Sequence, residues 1–222
     1  MDNIPSDWTF QTRQVVDQFD RHVREQLPWY DLATGLVAHI VRHYLPDEGL
    51  VYDIGASTGN IEKAISDIIE KRNARFIPID NSEAMSDKYS GKSKLVIANA
   101  DEYEYEHFDV AILFLVLQFL DIGKRKSLLQ KLIEKVRPGG AVIIFDKMIV
   151  EGGYISTVLR RATIAGKASS GTPADEIVAK ELSLGGIQRP LPEKFFDHQV
   201  PGNVKEIFRF GEFAGFLIER PQ

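Results

Sequence analysis

The stretch Asp53-Ile54-Gly55-Ala56-Ser57-Thr58-Gly59 sets an acid, two glycines and two small hydroxyl residues between an apolar run and a helical one. Gly55 and Gly59 let a backbone approach a ligand closely, and the amides opening the next helix offer donors to a carboxylate or phosphate. This is the chemistry of a ligand cradle, or of a bare strand-to-helix turn. A P-loop needs Gly-Lys-Ser/Thr after four variable residues, and no lysine stands there. A dinucleotide fingerprint needs G-x-G-x-x-G, whereas Gly55 and Gly59 are spaced G-x-x-x-G. A nucleoside without a pyrophosphate is the third option. Asp80 closes the run Ile77-Pro78-Ile79-Asp80 and brings a carboxylate to the same sheet edge. It can accept both hydroxyls of a ribose, and helix N-capping is its other available role.

Other reactive residues are more scattered. His39 and His43 lie four apart on one helix, as metal ligands can, but no third ligand is in view and no metal is expected. Tyr30, Asp146, Glu181 and His198 are candidate bases. Asp146, with Lys147, follows strand five and fits an ion pair or cap equally well, and His198 reads as a surface residue. No catalytic residue is assigned. The acidic run 101–106 reads as a solvated loop whose aromatics rest on the sheet edge. Trp29 and Tyr30 together could fold over a ligand, and core packing is the alternative for Trp29.

Positioning these groups falls to an alternating series of elements. A chain of 222 residues fits one domain. Helices are predicted over 9–24 and 31–44, the second with Leu32, Leu36, Val37, Ile40, Val41 and Tyr44 on one face. Strands are predicted over 50–54, 75–79, 94–98, 108–114 and 141–145, with helices over 60–72 and 123–136. The breaker Arg137-Pro138-Gly139-Gly140 should end the last helix. Near-continuous apolar strands separated by helices imply a parallel sheet covered on both faces. Residues 151–190 break this rhythm: helical runs over 154–165 and 174–184, joined by GKASSGTP, suggest an inserted cap or an oligomer arm. Runs over 204–210 and 212–219 around Gly211 suggest a closing hairpin.

Composition narrows the function. The net charge of -5 argues against tight nonspecific nucleic-acid binding, which needs a basic face. The absence of cysteine removes disulfides, thiolate metal sites and thiol nucleophiles. The apolar run 110–120 is too short to span a bilayer, and MDNIPSDWTF lacks the regions of a signal peptide, so a soluble cytoplasmic protein is expected.

"YDIGASTG", "PIDNS", "ANADEY" and "RPGG", in register over about 45–148, resemble the class I S-adenosylmethionine-dependent methyltransferases. "FDRHVREQLPWYDLATGLV", "LVLQFLD", "LLQKLIEKVRPGGAVII" and "DKM" are similar, more closely, to the carboxy-S-adenosylmethionine synthase family, enzymes of transfer-RNA wobble-uridine modification. The resemblance implies an α/β three-layer sandwich, Rossmann-like, with a mostly parallel seven-stranded sheet and a helical cap. Residues 1–222 would form one domain, with 1–45 as an N-terminal helical cap and 151–190 as the insertion. S-adenosylmethionine would be the cofactor. Gly55, Ala56 and Ser57 would line its methionine part, with Asp53 and Gly59 in the same turn. Asp80 and Asn81 would hold the ribose, Ala100 and Asp101 the adenine, and Tyr30 would reach in from the cap. Phe114, at the end of strand four, counts among the cofactor contacts and stands where that family has an asparagine. Glu181 aligns with the family's carboxylate-holding arginine and would repel a carboxylate, while Lys180 or Arg189 could substitute.

The implied activity is methyl transfer to a small molecule or a modified nucleotide. Carboxy-S-adenosylmethionine synthesis, with prephenate as second substrate, and non-catalytic cofactor binding are the alternatives. Without cysteine, C5-methylation of pyrimidines through a thiolate is out. Phe114-Leu115-Val116-Leu117, in place of Asp/Asn-Pro-Pro-aromatic, argues against amino-group methylation of DNA. A homodimer is the expected assembly, with no membrane partner.

Overall fold

The computed structural model describes residues 19–196 and 203–221. Most of the helix expected over 9–24, and His198 with residues 197–202, lie outside the described residues. Two helices, α1 (Phe19–Gln26) and α2 (Tyr30–Tyr44), precede β1 (Leu50–Ile54), α3 (Asn60–Lys71), β2 (Arg75–Asp80) and the single turn α4 (Glu83–Ser86). There follow β3 (Val96–Ile97), β4 (Phe108–Phe114), a 3₁₀ turn at Leu117–Phe119, α5 (Ile122–Lys135) and β5 (Val136–Lys147). The chain continues through α6 (Gly153–Ser169) and α7 (Ala174–Ser183) to β6 (Asn203–Phe210) and β7 (Phe213–Glu219).

The strands form one sheet in the order β3-β2-β1-β4-β5-β7-β6. The first five pair in parallel, but β7 is antiparallel to both β5 and β6. The sheet is therefore mixed rather than mostly parallel. The physical reason is the short connection at Gly211 (φ 56°), which can only reverse the chain into a hairpin. Strand order turns over between β1 and β4, the place where ligands bind in open α/β sheets.

Burial explains why these sequences form these elements. Every residue of β1 and β4 is buried, as strands covered on both faces must be. Tyr52 points into a cluster with Leu128, Leu129 and Leu132 of α5, while Val51 points into one with Val37, Val41, Ile61 and Ile65 of α2 and α3. Helix α2 buries Tyr30, Ala33, Thr34, Val37 and Val41. Leu32, expected on that face, is 70 % exposed, because the stripe runs through Tyr30 and Ala33 instead. Trp29 is core, packed on Phe114, Phe208 and Phe213.

Some boundaries differ from expectation. Arg137-Pro138-Gly139-Gly140 stays within β5, held by the Gly139 amide donating to Arg220 O (2.8 Å) and the Arg220 amide donating to Gly140 O (3.0 Å). A Cβ at Gly140 would meet Asp109 O at 2.5 Å, so glycine there serves strand contact. Helix α6 runs on to Ser169, through part of the expected joint, and its Gly166 packs against the Phe210 ring. Tyr52, Tyr103 and Tyr105 pack edge to face over the rim of the sheet, as expected for the acidic loop. No described helix is long and apolar enough to cross a membrane.

Candidate functional site

The turn after β1 is locked onto β2. The Gly55 and Ala56 amides donate to Ile79 O at 2.8 and 2.9 Å, and Gly55 sits at φ 79°. A Cβ on Gly55 would lie 2.5 Å from Val116 Cγ2, so the chain there needs both the positive φ and the missing side chain. Gly59 (φ 87°) faces Gly91 and Tyr89 and does not line the cavity described below. Its glycine answers to packing under the turn rather than to ligand approach. Asp20 on α1 accepts from Thr58 Oγ1 (2.5 Å) and Asn60 Nδ2 (2.7 Å), so α1 is fastened over the same turn.

Asp80 is the second fixed group. Its Oδ2 accepts from the Ser57 amide and its Oδ1 from the Ser82 amide, both at 2.9 Å. Burial raises its pKa, and the donors from Ser82, Ser57 and Asn81 oppose that rise. The helix cap is Ser82, whose Oγ accepts from the Met85 amide, so Asp80 does not cap α4 itself. A carboxylate has about four acceptor sites, so Asp80 keeps capacity for a ligand. Asp101 pairs with Lys124 at 2.7 Å, which holds its carboxyl below the ordinary range.

Asp53 is almost wholly buried, and neither carboxylate oxygen has a hydrogen-bond donor among the described residues. Burial, then Asp80 and Glu62, push its pKa well above the ordinary value. A buried acceptor without a donor is costly, so the chemistry of this position calls for a cationic donor. It lies beneath the turn rather than on the cavity wall.

A cavity of about 250 Å³ opens along this edge. Of the residues singled out in the sequence, Tyr30, Gly55, Ala56, Ser57, Asp80, Asn81, Ala100, Asp101 and Phe114 line it. The Tyr30 ring meets Phe114 edge to face at 5.3 Å, and Phe114 stacks on Phe145 at 5.0 Å. Arg24 lies over the Tyr30 ring, and burial raises the Tyr30 hydroxyl pKa.

Another wall of the same cavity is basic. Lys147 from β5, Lys167 from α6 and Lys180 from α7 all line it, and all three are buried. Glu181 joins two of them: Lys167 Nζ donates to its Oε1 at 2.7 Å and Lys147 Nζ to its Oε2 at 3.4 Å. Those ammonium groups keep Glu181 ionised, its pKa lowered against the effect of burial. Burial, then Lys167, push Lys180 down to about 7, with Glu181 opposing. His22 of α1 faces the group and is held neutral, at about 4, by burial, Lys180 and Lys167. Two buried amide oxygens, Gln26 Oε1 and Gln118 Oε1, line the cavity without a donor among the described residues.

Several candidates are elsewhere. Asp146 is fully buried and accepts from the amides of Leu117, Gln118 and Lys147, so it clips the 3₁₀ turn to β5. Burial raises it to about 7 against those donors. Arg189 is bound through its backbone to Gln118 and Arg125 and does not line the cavity. His39 and His43 meet ring to ring at 5.0 Å. His22 and Gln26 lay in the noted motif "FDRHVREQLPWYDLATGLV", Lys167 in the joint GKASSGTP and Gln118 in "LVLQFLD", all without a role.

An open sheet with this strand order and an anchored acid after β2 defines the chain as a class I methyltransferase fold. The family described as "Methyltransferase domain" matches residues 51–140. The structure of a Clostridium acetobutylicum S-adenosylmethionine-dependent methyltransferase superposes with a TM-score of 0.58 at 11% identity, over 91% of this chain and 98% of that one. Human N-acetylserotonin methyltransferase in complex with SAM gives 0.61 at 13%, over 96% of this chain and 58% of that one. A carboxy-S-adenosyl-L-methionine synthase of Staphylococcus epidermidis is 30% identical over 98% of this chain and 99% of its own length. One of Wolinella succinogenes is also 30% identical, over 93% and 91%. The chain belongs to the carboxy-S-adenosyl-L-methionine synthase family. It is an S-adenosylmethionine-dependent transferase of the methyltransferase superfamily.

Proposed function

We propose that the chain binds S-adenosylmethionine along the β1–β2–β3–β4 edge and an anionic small molecule against the lysine wall. The Gly55–Ala56–Ser57 turn suits the cofactor's methionine part, and the orphaned Asp53 carboxyl beneath that turn suits its ammonium group, which would have to pass the turn to reach it. Asp80 and Asn81 would take the ribose hydroxyls. Ala100 would pack on the adenine and Asp101 accept from its amino group. Tyr30 and Phe114 would close over the sulfonium end, and Gly59 would shape the turn without contact. The bound cofactor would supply a methyl group activated by its sulfonium, as an electrophile for methyl transfer or as a carbon acid for carboxylation. The protein's part is to hold the second reactant against that group and to keep water out.

The observation that carries the reading is the lysine wall. Glu181 stands where an arginine would hold a carboxylate, but Lys147, Lys167 and Lys180 outnumber it on the cavity wall, with Glu212 pairing with Lys147 at 3.9 Å from outside the lining, so the wall favours an anion. This supports carboxy-S-adenosylmethionine synthesis, the activity for which the relatives are named. Phe114, in place of an asparagine, favours a second reading: methyl transfer to an acidic small molecule or modified nucleotide. Residues 151–190 fit a helical cap, since they supply Lys167, Lys180 and Glu181 to the cavity. Exposed Tyr154 and Leu182 suit an oligomer arm, here a homodimer.

Calorimetry with S-adenosylmethionine and S-adenosylhomocysteine tests the cofactor site; no heat and no thermal shift would sink it. Mass spectrometry of the cofactor after incubation with prephenate tests the synthase. A product heavier by a carboxylate is expected, and unchanged cofactor would leave methyl transfer as the reading.

A further inference from the structure

We propose that Gln26 and Gln118 determine specificity for the second reactant, their amide oxygens accepting from a hydroxyl carried by an acid whose carboxylate lies against Lys147 and Lys167. The proposal rests on the anion-binding reading of the lysine wall and narrows that reading to hydroxy acids.

The two glutamines reach the cavity on frames that are themselves fixed. Helix α1 turns His22, Val23 and Gln26 to the cavity, at the spacing of one helical face. It is held at one end by Asp20 on Thr58 and Asn60, and at the other by Thr172 Oγ1 donating to Glu25 O at 3.0 Å. That hydroxyl has used its one proton, so toward Gln26 Nε2, at 3.5 Å, it accepts. The contact sets which way the amide faces, with nitrogen toward Thr172 and oxygen away from it.

Gln118 sits in the 3₁₀ turn, clipped from two sides. Its backbone amide donates to Asp146 Oδ1 at 3.3 Å, and its carbonyl accepts from the Arg189 amide at 2.8 Å. Leu115, which leads into that turn, is held at φ 62°, a left-handed conformation that is rare for a bulky side chain. Strained backbone of this kind persists only where its surroundings over-determine it. A rigid backbone therefore delivers the Gln118 side chain to the cavity.

What sets both residues apart is what their oxygens lack. Gln26 and Gln118 are 5 % and 1 % exposed, and neither Oε1 has a donor among the described residues. A buried acceptor left empty is costly, and a ligand that brings a donor removes the cost. The charge around them decides which donor. Lys147 and Lys167 are buried in the same cavity wall, so an ammonium on the ligand would meet like charge. Glu181, the carboxylate between them, is already engaged by both. A hydroxyl donates to an amide oxygen without adding charge, and its lone pairs remain for a lysine ammonium. Each ammonium has three protons, so donors also remain for a ligand carboxylate. An acid without the hydroxyl would leave the amide oxygens unpaired, the situation in which polar sites discriminate most strongly.

Matched acids test this. Calorimetry on the purified chain at pH 7 would compare malate with succinate, phenyllactate with phenylpropionate, and quinate with cyclohexanecarboxylate. At least one hydroxy acid should bind about ten- to a hundredfold more tightly than its partner. Equal affinities within every pair would overturn the proposal and leave the anion site standing. No binding by any of the six at millimolar concentration would overturn both. Gln26→Met and Gln118→Met keep the side chain's length and remove the acceptor. Each should weaken the preferred hydroxy acid about tenfold and shift its deoxy partner less than twofold. Equal weakening of the two acids would show that the glutamines only shape the cavity, and would refute the assignment. Lys147→Gln should weaken both acids alike, since it acts on the carboxylate they share; a loss confined to the hydroxy acid would overturn this division. If a glutamine variant fails to fold, the paired acids on the natural chain decide the matter.

Discussion

Replacing Gly55 by alanine should separate two costs that coincide in the turn. An L-residue at φ 79° pays about 1–2 kcal/mol for the left-handed conformation. The new methyl would also lie 2.5 Å from Val116 Cγ2, an overpacking that costs about 1–3 kcal/mol. Together these give about 2–5 kcal/mol, or a fall of about 4–20 °C in Tm for a chain of this length. In a Val116→Ala background the clash is relieved and only the conformational part should persist, about 1–2 kcal/mol. Urea denaturation followed by circular dichroism on the four variants measures the coupling. Equal costs in both backgrounds, within about 0.5 kcal/mol, would show that Val116 is not what excludes a side chain at Gly55.

Asp80→Ala should weaken S-adenosylmethionine by about 1.5–3 kcal/mol, or roughly 10- to 100-fold in Kd, measured by calorimetry; a change below twofold would remove Asp80 from the ribose site. Glu181→Gln leaves Lys147 and Lys167 without their shared carboxylate. Because Glu181 is about one-third exposed, the expected loss is about 1–3 kcal/mol rather than the larger cost of a fully buried pair, while anion affinity should rise. Unchanged anion binding would count against the lysine wall. Asp146 has its pKa raised by burial from 3.8 to about 7, so its neutral form stabilises the fold and that stability is lost as pH rises from about 4 to 7. The full effect is about 4 kcal/mol, of which about 2 falls between pH 5 and 7. Asp146→Asn should flatten that decline in urea midpoints; equal slopes would refute the assignment.

What could be read from residue order was what local chemistry decides. Gly55 and Asp80 were identifiable because a strand, a turn and an acid after the next strand are each short-range patterns. The lysine wall was legible only in pieces: Lys180 stood as a possible carboxylate holder and Lys147 as an ion-pair partner, but Lys167 had no role, because the three come from separate elements that only the fold brings together. Tertiary burial, then Lys167 beside it, lowers the pKa of Lys180, and neither is visible in residue order. Gly59 and Asp53 mark an intermediate case. Both lie in the motif, but one serves packing and the other sits beneath the turn, a distinction that spacing does not carry. Leu32 stands five residues before Val37, about 140° away around the helix, so the spacing itself sets it off the stripe of Ala33, Val37 and Val41.

The antiparallel strand β7 also has a bearing on biosynthesis. It covers β5, the longest strand, and contributes Phe213 to the cavity wall. Until β7 emerges from the ribosome, β5 is an open, strongly apolar edge available to other chains. A product lacking β7 would therefore both aggregate through that edge and fail to enclose its ligand.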